Sequence, residues 1–221
     1  MKFNDAFLAK YPESPKIRLR EIQKKHPEAK ELAPNEEYEL KSSAFDTLSF
    51  AFKDEPSSNV NDYYRILGLL GGKRVYKWIE RKYMTPRYPK HNNIAHFKVM
   101  FSEANGNGFF GEPLSAPVIA KPFVTSTPSF ISVGCFNTEY EAESALKYLK
   151  TKLVRALLGI LKKTHHTAPS NWAYVPLQNF DVSSDIDWSK SIHEIDLQLY
   201  RKYKLSNLEI VFIETNVKEM L

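Results

Sequence analysis

The stretch Thr138–Lys163, TEYEAESALKYLKTKLVRALLGILKK, decides the architecture. Ala142, Leu146, Leu149, Leu153, Leu157, Ile160 and Leu161 recur at three- and four-residue spacing, which places them on one face of a helix. Thr138 followed by Glu141 is a Thr-x-x-Glu capping box, with acidic side chains in the positive first turn. The other faces carry Lys147, Lys150, Lys152, Arg155, Lys162 and Lys163, and no acidic residue follows Glu143 within the stretch. The spacing predicts one long central helix with an apolar stripe for the core and a basic flank. Pro169 and Pro176 break the pattern, and Trp172, Tyr174, Val175 and Leu177 offer a short apolar return segment.

Working outward toward the N-terminus, Phe130–Phe136, Val118–Val124 and Phe97–Ala104 read as strands, the last alternating Phe97, Val99 and Phe101 against Lys98, Met100 and Ser102. Tyr63–Leu70 and Arg74–Tyr83 read as paired strands around a Gly71-Gly72 turn. In the second of them Val75, Lys77 and Ile79 fall on one side, Tyr76, Trp78 and Glu80 on the other. Ser42–Phe52 suits a short strand or loop on the core. Residues 1–41 are charged and proline-divided, with KIRLREIQKKH the most helical piece, and form a segment apart from 42–221. Toward the C-terminus two small helices are expected. Ile192, Ile195, Leu199 and Tyr200 share a face of the first, with Asp185 and Asp187 as candidate caps. Leu208, Val211, Phe212 and Val217 share a face of the second, behind Ser206 and Glu209. The fold class is α+β: a mixed sheet and hairpins on a long central helix, followed by two small helices.

With 221 residues, 43% of them hydrophobic, the chain has material for a real core. Its formal charge of +5 is unevenly placed. Arg65, Lys73, Arg74, Lys77, Arg81, Lys82, Arg87, Lys90 and Lys98 face the single acid Glu80 between residues 65 and 98, whereas acids collect near Glu28–Glu39 and Asp181–Asp196. One strongly positive face, fit for a polyanion, is expected. Cys135 is the sole cysteine, which excludes an intrachain disulfide and a cysteine-based zinc site. His91 and His96 lack a nearby carboxylate, so no metal is expected in this chain. The N-terminus has no apolar core of a signal peptide, and no membrane partner is expected; a soluble, cytoplasmic chain is. The Asn/Gly-rich NGNGFFGEP is not a phosphate-binding loop, because no Lys-Ser or Lys-Thr follows.

The block CFNTEYEAESALKYLKTKLVRALLGILKKTHHTAPSNWAYVPLQNF and the ending DWSKSIHEIDLQLYRKYKLSNLEIVFIE resemble the C-terminal part of bacterial adenine-specific DNA methyltransferases and fused type IIG restriction-modification enzymes. The Tyr-x-Lys-Thr-Lys pattern is Tyr148, Lys150, Thr151 and Lys152. The Val-Pro-Leu-Gln-x-Phe pattern is Val175, Pro176, Leu177, Gln178 and Phe180. The closing pattern is Leu199, Tyr200, Lys202, Tyr203 and Leu205, then Glu209, Ile210, Phe212, Ile213 and Glu214. The strand Phe97–Ala104 and the Lys121-Pro122-Phe123 step extend the likeness over roughly residues 42–221. In that family the region is the target recognition domain, which reads DNA while a separate domain transfers methyl groups. The resemblance implies a fold related to Taq-type and type I specificity-subunit recognition domains, and a bacterial restriction-modification system in which adenine-N6 methylation, cleavage or both lie with a catalytic domain in cis or in trans. The Asn-Pro-Pro-Tyr or Asp-Pro-Pro-Tyr signature and a Phe-x-Gly-x-Gly turn are absent, so no catalytic residue is assigned here. S-adenosylmethionine and Mg2+ are expected only in the associated catalytic domains.

The candidate DNA-binding residues are Lys73, Arg74, Lys77, Trp78, Arg81, Lys82, Arg87 and Lys90, mainly for phosphates, with Asn92, Asn93, Asn105 and Asn107 in flanking loops. Asn92, Asn93 and Arg87 are the candidates for base edges. Lys147, Lys150 and Arg155 on the helix form a second line. Two other functions compete with this one. A small metal-dependent nuclease would use Glu39 and Lys41 with Asp46 or Asp54, and a protein-interaction domain would dock a partner through Trp172 and the C-terminal helices.

Overall fold

The computed structural model describes residues 16–18, 24, 37–85, 93–104, 109–161 and 169–220. In chain order its elements are β1 (Lys16–Arg18), β2 (Glu37–Glu39), α1 (Ala44–Thr47), β3 (Tyr63–Leu70), β4 (Lys73–Glu80), β5 (Met84–Thr85), β6 (Phe97–Ser102), β7 (Val118–Ala120), β8 (Val124–Ser126), β9 (Phe130–Phe136), α2 (Glu139–Lys150), α3 (Lys152–Leu161), α4 (Ile192–Lys202) and α5 (Asn207–Asn216). The class is α+β. Among the described residues the strands form three three-stranded sheets, ordered β2-β1-β5, β4-β3-β8 and β7-β6-β9. Among the described residues no helix is long and apolar enough to cross a membrane. Two compact units divide the chain, one containing Phe97–Ile119 and Val133–Leu221, the other Ala9–His96 and Ala120–Ser132.

The second unit is built on the hairpin of β3 and β4, which pair antiparallel from Tyr63↔Glu80 to Leu70↔Lys73. That register leaves a two-residue loop. Gly71 (φ 56°) and Gly72 (φ 76°) both adopt the left-handed conformation that such a tight turn requires. One face of the hairpin carries Ile66 and Ile79, packed with Leu40, Ala44, Phe45, Leu48, Phe52, Tyr83 and Met84 into a core, and Tyr64, Leu70 and Val75 lean on it. Gly68 lets Phe45 lie flat on the strand, since a Cβ there would come within 2.4 Å of the Phe45 ring. β8 adds to β3 in parallel, Arg65 opposite Val124.

Three strand and helix expectations fail here. Val118–Val124 is not one strand, since β7 ends at Ala120 and β8 begins at Val124 in a different sheet. Ser42–Phe52 is helical: α1 and a 3-10 turn at Ser49–Ala51 close by short-range bonds such as Leu48 N–H to the Ala44 carbonyl (2.9 Å). The aromatic spacing that suggested a strand instead puts Phe45 and Phe52 in edge-to-face contact at 4.9 Å. Lys16–Arg18, inside the piece read as most helical, is a strand, paired antiparallel with β2 and β5. Tertiary strand partners outweigh helix propensity there.

In the first unit the central helix is not one helix. It stops at Thr151, whose backbone (φ −60°, ψ 150°) is extended, and restarts at Lys152. The break is built from polar groups. Thr151 Oγ1 donates to the Tyr148 carbonyl (2.7 Å), and the buried Asp196 of α4 accepts the freed N–H groups of Lys152 (2.9 Å) and Leu153 (3.0 Å). A carboxylate at the start of α3 thus does from another helix what a local N-cap does. The buried stripe shifts at this point. Ala142, Tyr148 and Leu149 are buried before it, Val154, Ala156 and Leu158 after it, while Ile160 is 69% exposed.

The capping boxes at Thr138/Glu141 and Ser206/Glu209 are present as expected. α4, however, is capped by Ser191 with Glu194, while Asp185 pairs with Lys202 and Asp187 binds Ser189. α4 buries Ile195, Leu199 and Tyr200. Of the face expected for α5, Val217 at its C-terminal cap is buried, but Leu208 is 83% exposed and Val211 and Phe212 are exposed too, and the helix buries Ile213 instead.

Candidate nucleic-acid interface

Opposite residues of an antiparallel pair share a face, so the β3–β4 register sorts the hairpin's side chains. Arg65 lies opposite Trp78, Leu67 opposite Tyr76 and Leu69 opposite Arg74. The face away from the α1 core therefore carries Arg65, Tyr76, Trp78 and Arg74. The Arg65 guanidinium lies over the Tyr76 ring at 4.1 Å and the Trp78 ring at 5.6 Å, and the side chain is exposed. The Arg74 guanidinium lies over Phe130 at 5.2 Å, and partial burial holds its pKa below the usual arginine value. Lys73 is exposed beside the turn.

A second stacked arginine sits at the same end of the sheet as Arg65. Arg81 follows β4, donates from Nε to the Tyr63 carbonyl (3.1 Å), and lies over the Phe123 ring at 3.7 Å and Tyr64 at 5.2 Å. Phe123 has a φ of 65°, a left-handed conformation that costs a bulky residue about 1–3 kcal/mol. Two backbone bonds hold it there: its N–H donates to the Ile94 carbonyl (2.6 Å) and its carbonyl accepts from Arg65 N–H (3.1 Å). The Arg65 backbone and the ring under Arg81 are thereby tied to one loop. Each arginine has a flat aromatic support, which fixes the guanidinium plane and leaves N–H donors at its rim.

The lysines fare differently. Lys77 shares the core-facing side of β4, not the Trp78 side, and is ion-paired with Asp54. Lys82 is paired with Glu80, whose carboxylate raises its pKa. Lys53, beside them, bridges backbone to backbone with Trp78, each N–H donating at 2.8 Å, and so covers the outer edge of β4. Asn93, a candidate for base edges, is buried at 3% exposure and donates to Ser132 Oγ (3.0 Å). Arg87, Lys90, Asn92, Asn105 and Asn107 lie outside the described residues.

The second line of candidates is structural. Arg155 is buried, and its guanidinium donates to the carbonyls of Lys150 (3.1 Å), Gly111 (3.0 Å) and Lys218. Lys147 donates to the carbonyls of Trp188 (2.8 Å) and Lys190 (3.1 Å). Lys150 is half-buried at the end of α2. Lys98, which closes the basic run in the sequence, is fully buried on β6; desolvation pulls its pKa down to about 7, against a smaller opposing effect of the Cys135 thiol on the neighbouring strand.

The motif blocks behind the sequence resemblance meet in the first unit as a scaffold. Tyr148 donates to the Pro176 carbonyl (2.7 Å), Gln178 Nε2 to the Tyr203 hydroxyl (2.6 Å), and Lys202 to Gln178 Oε1 (2.9 Å) and Asp185 (2.7 Å). Lys152 and the Tyr200 hydroxyl both hold the Glu214 carboxylate. Phe180 contacts the rings of Tyr148, Trp188 and Phe136. Trp172, expected on a docking surface, is fully buried beside Phe101. Of the nuclease residues, Asp54 is engaged by Lys77, and among the described residues no three His, Cys, Asp or Glu side chains gather as a metal site.

Arg65 lies outside the candidate residues named from the sequence, although pairing across Gly71-Gly72 already puts it opposite Trp78. No protein-family model matches the chain, and neither a curated protein nor a solved structure does.

Proposed function

We propose that this chain is a double-stranded DNA recognition module of a bacterial restriction-modification system, with adenine-N6 methylation or cleavage performed by a catalytic domain in cis or in trans. The observation that carries the DNA reading is the pair of arginines, Arg65 and Arg81, each laid on aromatic rings at one end of the β4-β3-β8 sheet, with Lys73 exposed at the hairpin turn. Guanidinium groups bind phosphates and base edges by the same planar fork. The restriction-modification context rests on the likeness of the C-terminal motif blocks. S-adenosylmethionine and Mg2+ belong to the catalytic partner in this reading.

The test is titration of a mixed-sequence duplex with the purified chain, followed by fluorescence anisotropy at two salt concentrations. Binding that weakens with salt, and weakens further in the Lys73→Ala/Arg81→Ala double variant, is the expected result. Absence of binding at low salt would falsify the reading. A protein-interaction domain is the second reading, favoured by the exposed Leu208, Val211 and Phe212 on α5. It predicts that the double variant behaves as the parent chain.

A further inference from the structure

Resting on that reading, we infer that Arg65 is the sequence-reading side chain of this surface and that the base it takes is guanine. Reading a base edge demands a donor pair fixed in position and orientation, because a displacement of about half an ångström spoils bidentate geometry. A phosphate contact is tolerant, and a mobile ammonium serves it well.

Three observations separate Arg65 from the other cations of the hairpin on this criterion. Its Cα is on β3, the strand with a neighbour on each side in the order β4-β3-β8, and not on a loop. Its guanidinium rests over the Tyr76 ring at 4.1 Å, with the Trp78 ring at 5.6 Å. Its own N–H is tied to the Phe123 carbonyl at 3.1 Å, so backbone and side chain are both positioned.

Among the described residues no carboxylate pairs with Arg65, whereas Lys77 has Asp54 and Lys82 has Glu80. An exposed guanidinium on a flat ring presents two parallel N–H donors at its rim. Guanine is the base whose major-groove edge offers two adjacent acceptors, O6 and N7. Adenine offers one acceptor and one donor there, and a thymine or cytosine edge offers no acceptor pair. Arg81 is stacked as well, but its Nε is already used on the Tyr63 carbonyl, which suits it to a supporting phosphate contact.

The experiment is selection of bound sequences from a duplex pool with a randomised core, using the full chain and its Arg65→Lys and Arg65→Ala variants. Thermal melts of each variant confirm that it is folded. The parent chain is expected to enrich a site holding at least one fixed G·C pair. Arg65→Lys is expected to keep binding to random duplex within about threefold, while preference at that one pair falls by about 5- to 100-fold and preferences elsewhere persist. Arg65→Ala should lose the same preference. Retention of the G·C preference in both variants overturns the assignment, as does a uniform loss over all sequences, which marks a phosphate contact. Binding by the parent chain without any preference overturns the guanine assignment and leaves the DNA reading standing. Failure of the parent chain to bind any duplex removes both.

Discussion

At the scale of single residues, burial turns one cation from a surface group into a core liability. Lys98 sits on the middle strand of the β7-β6-β9 sheet with α2 against it, so the alternation of β6 does not deliver one wet face. Val99, Met100 and Phe101 are all fully buried with it. Desolvation lowers the folded pKa of Lys98 to about 7 from the ordinary 10.5. A lowered pKa means that between these two values the unfolded chain binds the extra proton. The stabilising contribution is therefore complete above about pH 10.5 and is lost as pH falls toward 7. In a Cys135→Ser background, which removes the neighbouring thiol from the titration, urea denaturation should show stability rising from pH 7 to 9.5 by about 2–4 kcal/mol relative to a Lys98→Met variant. Equal pH profiles for the two chains would mean that Lys98 is not buried as a titrating group. Nothing in the sequence distinguishes Lys98 from the exposed lysines of the same basic run, because the strand's position within its sheet is set by partners distant in the chain.

At the scale of elements, local chemistry was legible and long-range chemistry was not. The Gly71-Gly72 hairpin, the capping boxes at Thr138 and Ser206, and the strand Phe130–Phe136 are all written in neighbouring residues, and the structure contains each of them. The break in the central helix is different. Its apolar spacing continues through Thr151, with neither proline nor glycine to mark a stop, and the group that stabilises the restart is Asp196, tens of residues away. Exposed α5 shows the same limit, since its apolar residues occur on two faces and the tertiary contacts select Ile213. Burial raises the Asp196 carboxyl to about 6, although the N–H groups of Lys152 and Leu153 pull the other way. For a raised acid the contribution is present below the unfolded value near 4 and is lost as pH rises through 6. Asp196→Ala leaves two helix N–H groups without their acceptor and should cost about 2 kcal/mol or more at pH 7. Asp196→Asn keeps an acceptor for one of them, should cost about half as much, and should abolish the stability change between pH 4 and 6. If alanine and asparagine cost the same, the capping role is refuted.

At the scale of the whole molecule, the charge pattern of the sequence overstates the charge that a duplex can meet. Of the basic run from Arg65 to Lys98, Lys77 and Lys82 are paired with carboxylates and Lys98 is inside. Among the helix cations, Arg155 is buried and Lys147 is held by carbonyls. Arg74 is partly desolvated against Phe130, which leaves Arg65, Lys73 and Arg81 as the described cations best placed to act on a ligand, with Arg87 and Lys90 beyond the described residues. With Arg65 on a base, two to four phosphate contacts are a modest footing. Since each neutralised phosphate contributes about −0.9 to the slope of log K against log salt, the parent chain should show a slope of about −2 to −4 on duplex DNA. Lys73→Ala should flatten it by about one. The paired variant Lys77→Ala/Asp54→Ala removes one positive and one negative charge together, and should leave both slope and affinity within error of the parent. A parent slope steeper than about −7 would place most of the phosphate contacts outside this hairpin, and a large effect of the Lys77/Asp54 pair would mean that the ion pair opens to engage DNA.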